Sequence, residues 1–177
     1  MPTTPPKSNF DLDLDFGNFW EDRICRMLEG EGSVEVKADK MWAKTGNLAF
    51  EYMRYDMQFD DEILTGLLDT KAHWWCNILC HATNPKTSSG IRIWETKRIK
   101  YVLSLLLEQG RAWVRKGIGD GGRTSIIVAP VEHLCETKLT DYTVTKEIAR
   151  RRRLFHEKSY SAEGELEACR LLKESLA

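Results

Sequence analysis

Residues 33–53 read SVEVKADKMWAKTGNLAFEYM, and the fold turns on how this stretch pairs. Two apolar-alternating runs, Val34-Val36-Ala38 and Leu48-Phe50-Tyr52, flank a polar connector ending in Gly46-Asn47. That is the pattern of two antiparallel strands joined as a hairpin. Side chains alternate along a strand, so Glu35, Lys37 and Asp39 are expected on one face of the first strand, and Ala49, Glu51 and Met53 on the matching face of the second. With Asp39 set opposite Glu51, Lys37 falls opposite Met53. Two carboxylates and an ammonium against an apolar sheet are costly unless compensated. A divalent cation with a taste for hard oxygen ligands, Mg2+ or Mn2+, would compensate them.

The order of these residues resembles the PD-(D/E)xK nuclease superfamily, in which an acidic residue on an early helix is followed by Asp and then by Glu-x-Lys on the next strand. Glu21, Asp39 and Glu51-Tyr52-Met53 stand at those places, with Met53 where the family has lysine. In the expected register Lys37 lies on the same face and would bring its ammonium to the vacant position. The strings Val36-Lys37-Ala38-Asp39, Thr45-Gly46-Asn47, Phe50-Glu51-Tyr52, Thr70-Lys71-Ala72-His73-Trp74-Trp75 and Gly119-Asp120-Gly121 narrow the resemblance to small phage-type enzymes of the Holliday-junction resolvase-like group. It covers residues 16 to 131. Such proteins often have Asp where this chain has His73, so the resemblance assigns no catalytic role to that position.

The resemblance implies an α/β fold with a restriction-endonuclease-like core, a mixed β-sheet flanked by helices. It implies a Mg-dependent endodeoxyribonuclease in which Asp39, Glu51 and Glu21 hold Mg2+ (with Mn2+ as substitute) and Lys37 assists the nucleophile or the transition state. DNA is the implied partner, branched or recombination intermediates the implied substrates, a homodimer the implied assembly, and a host cytoplasm the setting if the chain is phage-encoded. Met53 supports an alternative, a DNA-binding protein that keeps the fold and lacks the catalysis. A third reading is an interaction protein whose acids pair with its many lysines.

A chain of 177 residues can bury one ordinary core. The expected division is a flexible arm over 1–15 with Pro2, Pro5 and Pro6, a nuclease core over 16–135, and a C-terminal helical extension over 140–177. Hydrophobic content of 42% and charged content of 30% fit a soluble globular protein. No apolar run is long enough to span a bilayer, and the N-terminus has neither the basic nor the apolar region of a signal peptide. A reducing cytoplasm is therefore expected. Five scattered cysteines argue against a disulfide framework. Cys76, Cys80 and His81 invite a zinc reading, but without a C-x-x-C pair, and with Cys76 in an apolar run, packing as small hydrophobes is favoured.

Along the chain, a helix is expected from Asn18 to Gly30, with Glu21 in its first turn. An acidic loop follows from Tyr55 to Glu62. Trp74 to Leu79 reads as a buried strand and Ile91 to Trp94 as an alternating one. Lys97 to Gln109 is predicted as a helix with Ile99, Val102, Leu103, Leu106 and Leu107 inside and Gly110 at its end. KGIGDGGR, residues 116–123, reads either as a phosphate-approaching backbone or as a tight turn between strands. Thr124 to Val131 should be another strand. Two amphipathic helices, Thr143 to Lys158 with Arg150 to Arg153, and Ser161 to Leu176, are expected beyond it. The net charge of −1 hides basic clusters at 92–100, 111–123 and 146–158, each either a phosphate-binding stripe or a solvated face.

Overall fold

The computed structural model describes residues 18, 21, 22, 24, 33–81, 83, 84, 88–118, 121–135 and 162–177. Its elements are β1 (Val34–Asp39), α1 (Trp42–Thr45), β2 (Asn47–Asp56), β3 (Asp61–Leu64), β4 (Trp74–Cys80), β5 (Ser88–Glu95), α2 (Thr96–Glu108), β6 (Trp113–Ile118), β7 (Thr124–Pro130), α3 (Val131–Leu134) and α4 (Ala162–Glu174). Asn18, Glu21, Asp22 and Ile24 are helical as well. The expected arm over 1–15, the helix carrying Arg150 to Arg153, and Gly119-Asp120 lie outside the described residues.

The protein is mixed α/β, and the strands form two sheets rather than one. A three-stranded sheet has the order β1-β4-β5, and a four-stranded sheet the order β3-β2-β7-β6. The hairpin expected from β1 and β2 does not form. β1 runs parallel to β4, with Glu35 beside Trp75, Lys37 beside Asn77 and Asp39 beside Leu79. β2 runs antiparallel to both β3 and β7. The edge of β2 that a hairpin partner would use is satisfied otherwise: the Ala49 amide reaches Asp39 Oδ2 at 3.4 Å, and the Glu51 carbonyl accepts the Leu67 amide at 2.8 Å. The connector is no simple turn either. It coils into α1, and Gly46 ends it with a left-handed φ of 69°.

A bulge in β2 overturns the second half of the expected register. Pairing with β7 shifts between Glu51 and Met53, which face Ile126 and Ser125 respectively. An inserted residue reverses the alternation of a strand. Leu48, Phe50 and Tyr52 are buried before the shift, and Met53, only 3% exposed, is buried after it. Met53 thus joins the core instead of standing beside Glu51. The acidic loop is also shorter than expected, because Asp61–Leu64 pair with Met53–Asp56 as a strand.

The remaining elements follow their sequence patterns. β4 is buried at every position but Trp74, as a central strand flanked on both sides must be. α2 buries the expected Ile99, Val102, Leu103, Leu106 and Leu107, and Gly110 takes a φ of 67° just beyond it. The larger core draws on both sheets and on α2 and α4, with Phe50 6.1 Å from Trp75 and 6.5 Å from Trp94 between ring centroids. A smaller cluster of Ile24, Val36, Cys76, Ile78 and Cys80 covers the opposite face of the first sheet. In α4, Ala168 and Leu172 reach the core while Leu166 is exposed. Among the described residues no helix is long and apolar enough to cross a membrane.

Candidate functional site

Asp39 ends β1, and its carboxylate organises the chain that follows. Oδ1 accepts the Met41 amide at 2.7 Å and the Trp42 amide at 2.9 Å, which holds the first turn of α1 as a side-chain cap does. Oδ2 faces the Ala49 amide. One carboxylate therefore joins the end of β1, the start of α1 and the outer edge of β2. Burial pushes its carboxyl above the ordinary value, against the opposing pull of these three amides. Taking a negative charge out of water has that effect.

Glu35 and Lys37 share the Asp39 face of β1. Lys37 Nζ lies 2.6 Å from Glu35 Oε1, with both side chains part-exposed, and 5.8 Å from the centre of the Trp75 ring. Glu35 Oε2 accepts a hydrogen bond from the Thr70 hydroxyl at 3.3 Å. The Lys37 ammonium is therefore committed to Glu35, and the cross-strand partnership with Met53 is replaced by a same-strand pair. Beneath them the Trp75 indole donates to Asn77 Oδ1 at 2.9 Å. This leaves Asn77 Nδ2 a buried donor without a partner among the described residues, on the residue that pairs with Lys37.

Glu51 lies two residues beyond Ala49 on the same outward side of β2, half-buried. Its backbone is held by the segment that follows β3. Gly66, at a φ of 51°, comes so close that a Cβ there would lie 2.5 Å from the Glu51 carbonyl oxygen. Leu67 then donates to that oxygen, and Thr70, three residues on, donates to Glu35. Residues 65–72 thus link the Glu51 backbone to the Glu35 carboxylate.

Glu21 is exposed. Its helical segment is anchored by Ile24 in the small cluster, on the face of the first sheet opposite Glu35, Lys37 and Asp39. Among the described residues no group of three or more His, Cys, Asp or Glu is placed to hold a metal ion, so neither Glu21 nor Glu35 forms a three-acid group with Asp39 and Glu51. Mg2+ commonly keeps several waters and takes only one or two carboxylates, and the oxygens of Asp39, Glu35 and Glu51 have the right chemistry for such a hard cation. Cys76 and Cys80 pack in the small cluster, where burial pushes their thiols up to about 12 and about 11. The KGIGDGGR stretch contributes to the turn between β6 and β7, with Gly117, Gly121 and Gly122 at positive φ. Its Lys116 ammonium stands 3.7 Å from both Glu62 and Glu167.

Glu35, expected on the face of Lys37 and Asp39 but given no role from the sequence, is the residue that the structure pairs with Lys37. The signal was there: Glu35-Val36-Lys37 is itself a Glu-x-Lys string on an alternating strand, whereas position 53 belongs to the core. Comparison with protein-family models, curated proteins and solved structures finds no match to this chain.

Proposed function

We propose that this protein is a metal-dependent nuclease that hydrolyses DNA phosphodiester bonds, with a restriction-endonuclease-like core and a site made of Glu35, Lys37, Asp39 and Glu51. The observation that carries the reading is the Glu35–Lys37 pair, 2.6 Å apart on the face of β1 that also bears Asp39. It supplies the Glu-x-Lys order that Glu51-Tyr52-Met53 does not. Mg2+ or Mn2+, when bound, supplies Lewis acidity and a water acidic enough to serve as nucleophile. Asp39 presents Oδ2 from a carboxylate whose other oxygen is fixed by two amides. Glu35 is oriented by Thr70 and holds the Lys37 ammonium where it can neutralise charge on a phosphoryl oxygen as the bond to the leaving group breaks. Glu51, on the facing sheet edge, supplies a second carboxylate.

The test is a cleavage assay on linear duplex, single-stranded, flap and four-way-junction DNA, with Mg2+, Mn2+ or EDTA. Wild type should cleave only with metal. Glu35→Gln, Lys37→Ala and Asp39→Asn should each lose about 100-fold or more, the size expected when several kcal/mol of transition-state stabilisation are removed. Glu21→Gln at wild-type rate would confine the site to the two sheet edges. Wild-type protein that binds DNA without cleaving any substrate would refute the enzyme and leave the DNA-binding alternative. Preference for the four-way junction, and a dimer in solution, would extend the reading to resolvase-like action.

A further inference from the structure

Helix α2 opens Thr96-Lys97-Arg98-Ile99-Lys100, and its first turn holds no acidic residue. A helix N-terminus carries partial positive charge, so cations gathered there oppose the dipole. Glu95, the residue before it, makes no side-chain cap. Two of the polar side chains are buried: Thr96 is 6% exposed and Lys100 7%. Four residues apart, they stand on one stripe with the buried Leu103 and Leu107. A polar head on an apolar stripe is costly unless it has a partner. Among the described residues Thr96 Oγ1 has no hydrogen-bond partner, and no carboxylate pairs with Lys100. Burial, reinforced by the nearby charge of Lys71, holds the Lys100 ammonium below its ordinary pKa.

This head sits next to the candidate site. The Thr96 amide donates to the His73 carbonyl at 2.8 Å, and Lys71 follows Thr70, whose hydroxyl is on Glu35. We propose that the N-terminal end of α2 is a phosphate subsite, with the Thr96 hydroxyl and the Lys100 and Lys71 ammoniums as donors, and that it takes a backbone phosphate flanking the scissile one. The phosphate chemistry stands on the side chains alone, while its source in a nucleic-acid strand rests on the nuclease reading. An oxyanion there partners the orphaned hydroxyl, offsets the two ammoniums and complements the helix dipole together.

Lys100→Met and Thr96→Val in the full chain test this. Inorganic phosphate should raise the Tm of wild type more than chloride does at equal ionic strength, and should lose that advantage in either variant. In chloride alone Lys100→Met should melt higher than wild type, because it removes a buried charge that has no acid partner. Binding of a fluorescent duplex in EDTA, followed across salt, should show the log–log slope reduced by about 0.9 in Lys100→Met, the value for one lost phosphate contact. A variant pair that keeps both the phosphate shift and the slope overturns the subsite. So does a Lys100→Met that melts lower in chloride, which would assign the lysine to packing. If Lys100→Met does not fold, Thr96→Val and Lys71→Gln carry the same readouts. A phosphate shift lost in the variants, with the DNA slope unchanged, overturns the nucleic-acid source and leaves free phosphate as the ligand. The metal-dependent cleavage assay is independent of all these outcomes, so failure of the nuclease reading is seen separately.

Discussion

Gly66→Ala is the substitution whose cost the structure defines best. Position 66 has a φ of 51°, and an added Cβ would lie 2.5 Å from the Glu51 carbonyl oxygen and 3.0 Å from the Glu51 Cβ. The left-handed backbone alone costs a non-glycine residue about 1–2 kcal/mol. The overlap is with backbone, which no rotamer change can relieve, and overpacking of this kind adds about 1–3 kcal/mol. A loss of roughly 2–5 kcal/mol follows, and at about 2–4 °C per kcal/mol for a domain of this size the Tm should fall by roughly 4–20 °C. Gly46→Ala is the internal control: its φ is 69°, with nothing within 4 Å of the added carbon, so only the conformational part, about 1–2 kcal/mol, applies. Thermal unfolding of the two variants side by side isolates the clash. Should Gly66→Ala melt no lower than Gly46→Ala, the close approach of residues 65–67 to β2 would be refuted. In the cleavage assay Gly66→Ala should also lose activity at temperatures where it remains folded, because Glu51 must shift to make room.

Asp39→Asn should abolish cleavage and, at neutral pH, remove the cost of a buried charge, while its Nδ2 gives up the contact that Oδ2 makes with the Ala49 amide. The amide still offers an oxygen to the Met41 and Trp42 amides but carries no charge. Because burial raises the folded-state pKa above the ordinary 3.8, the folded protein keeps this proton to higher pH than the unfolded chain. The Asp39 contribution to stability therefore falls as pH rises from the unfolded value through the folded one, and stays low above it. Melting curves from about pH 3 to 8 should show this decline in wild type and a shallower one in the variant, and equal slopes would rule it out. Met53→Lys should fail as a repair of the Glu-x-Lys order, since it forces an ammonium into a position 3% exposed, at a cost of several kcal/mol. A soluble, active Met53→Lys with wild-type Tm would show that residue 53 does not face the core.

The strands and the long helices were legible because each has a pattern of its own: alternation in β1 and β2, an unbroken apolar run in β4, and helical spacing closed by Gly110 in α2. What the sequence did not show was pairing. Gly46-Asn47 ends a connector that reads as a hairpin turn, yet the Asp39 side chain takes the amide that a hairpin partner would have used. No local pattern announces such a capture, because the donor lies ten residues away. The bulge at Tyr52 was hidden for a related reason. Phe50, Tyr52 and Met53 are all apolar, so the string fits either phase, and only the pairing with β7 selects one. Together these two features move Met53 off the Glu51 side of β2 and leave Glu35-Val36-Lys37 as the Glu-x-Lys string on the Asp39 face. Glu21 was singled out by resemblance alone, and its helical segment lies over the other face of the sheet.

Helix α4 has a further consequence, for the order in which the protein assembles. It meets α2 across a long stretch of chain: Cys169 Sγ lies against the Ser104 carbonyl and Lys173 pairs with Glu108, each contact spanning 65 residues. Closing a loop of that size costs entropy before any contact is made. The return is modest, since Ala168 and Leu172 are the fully buried apolar side chains of α4. Such a helix is expected to dock after the sheets have formed and to leave first when the protein loosens, which hydrogen exchange of its amides against those of β4 would check. Its departure bares the outer side of α2, so the apolar surface exposed in an early partly unfolded state is concentrated on one helix instead of being spread over the whole core.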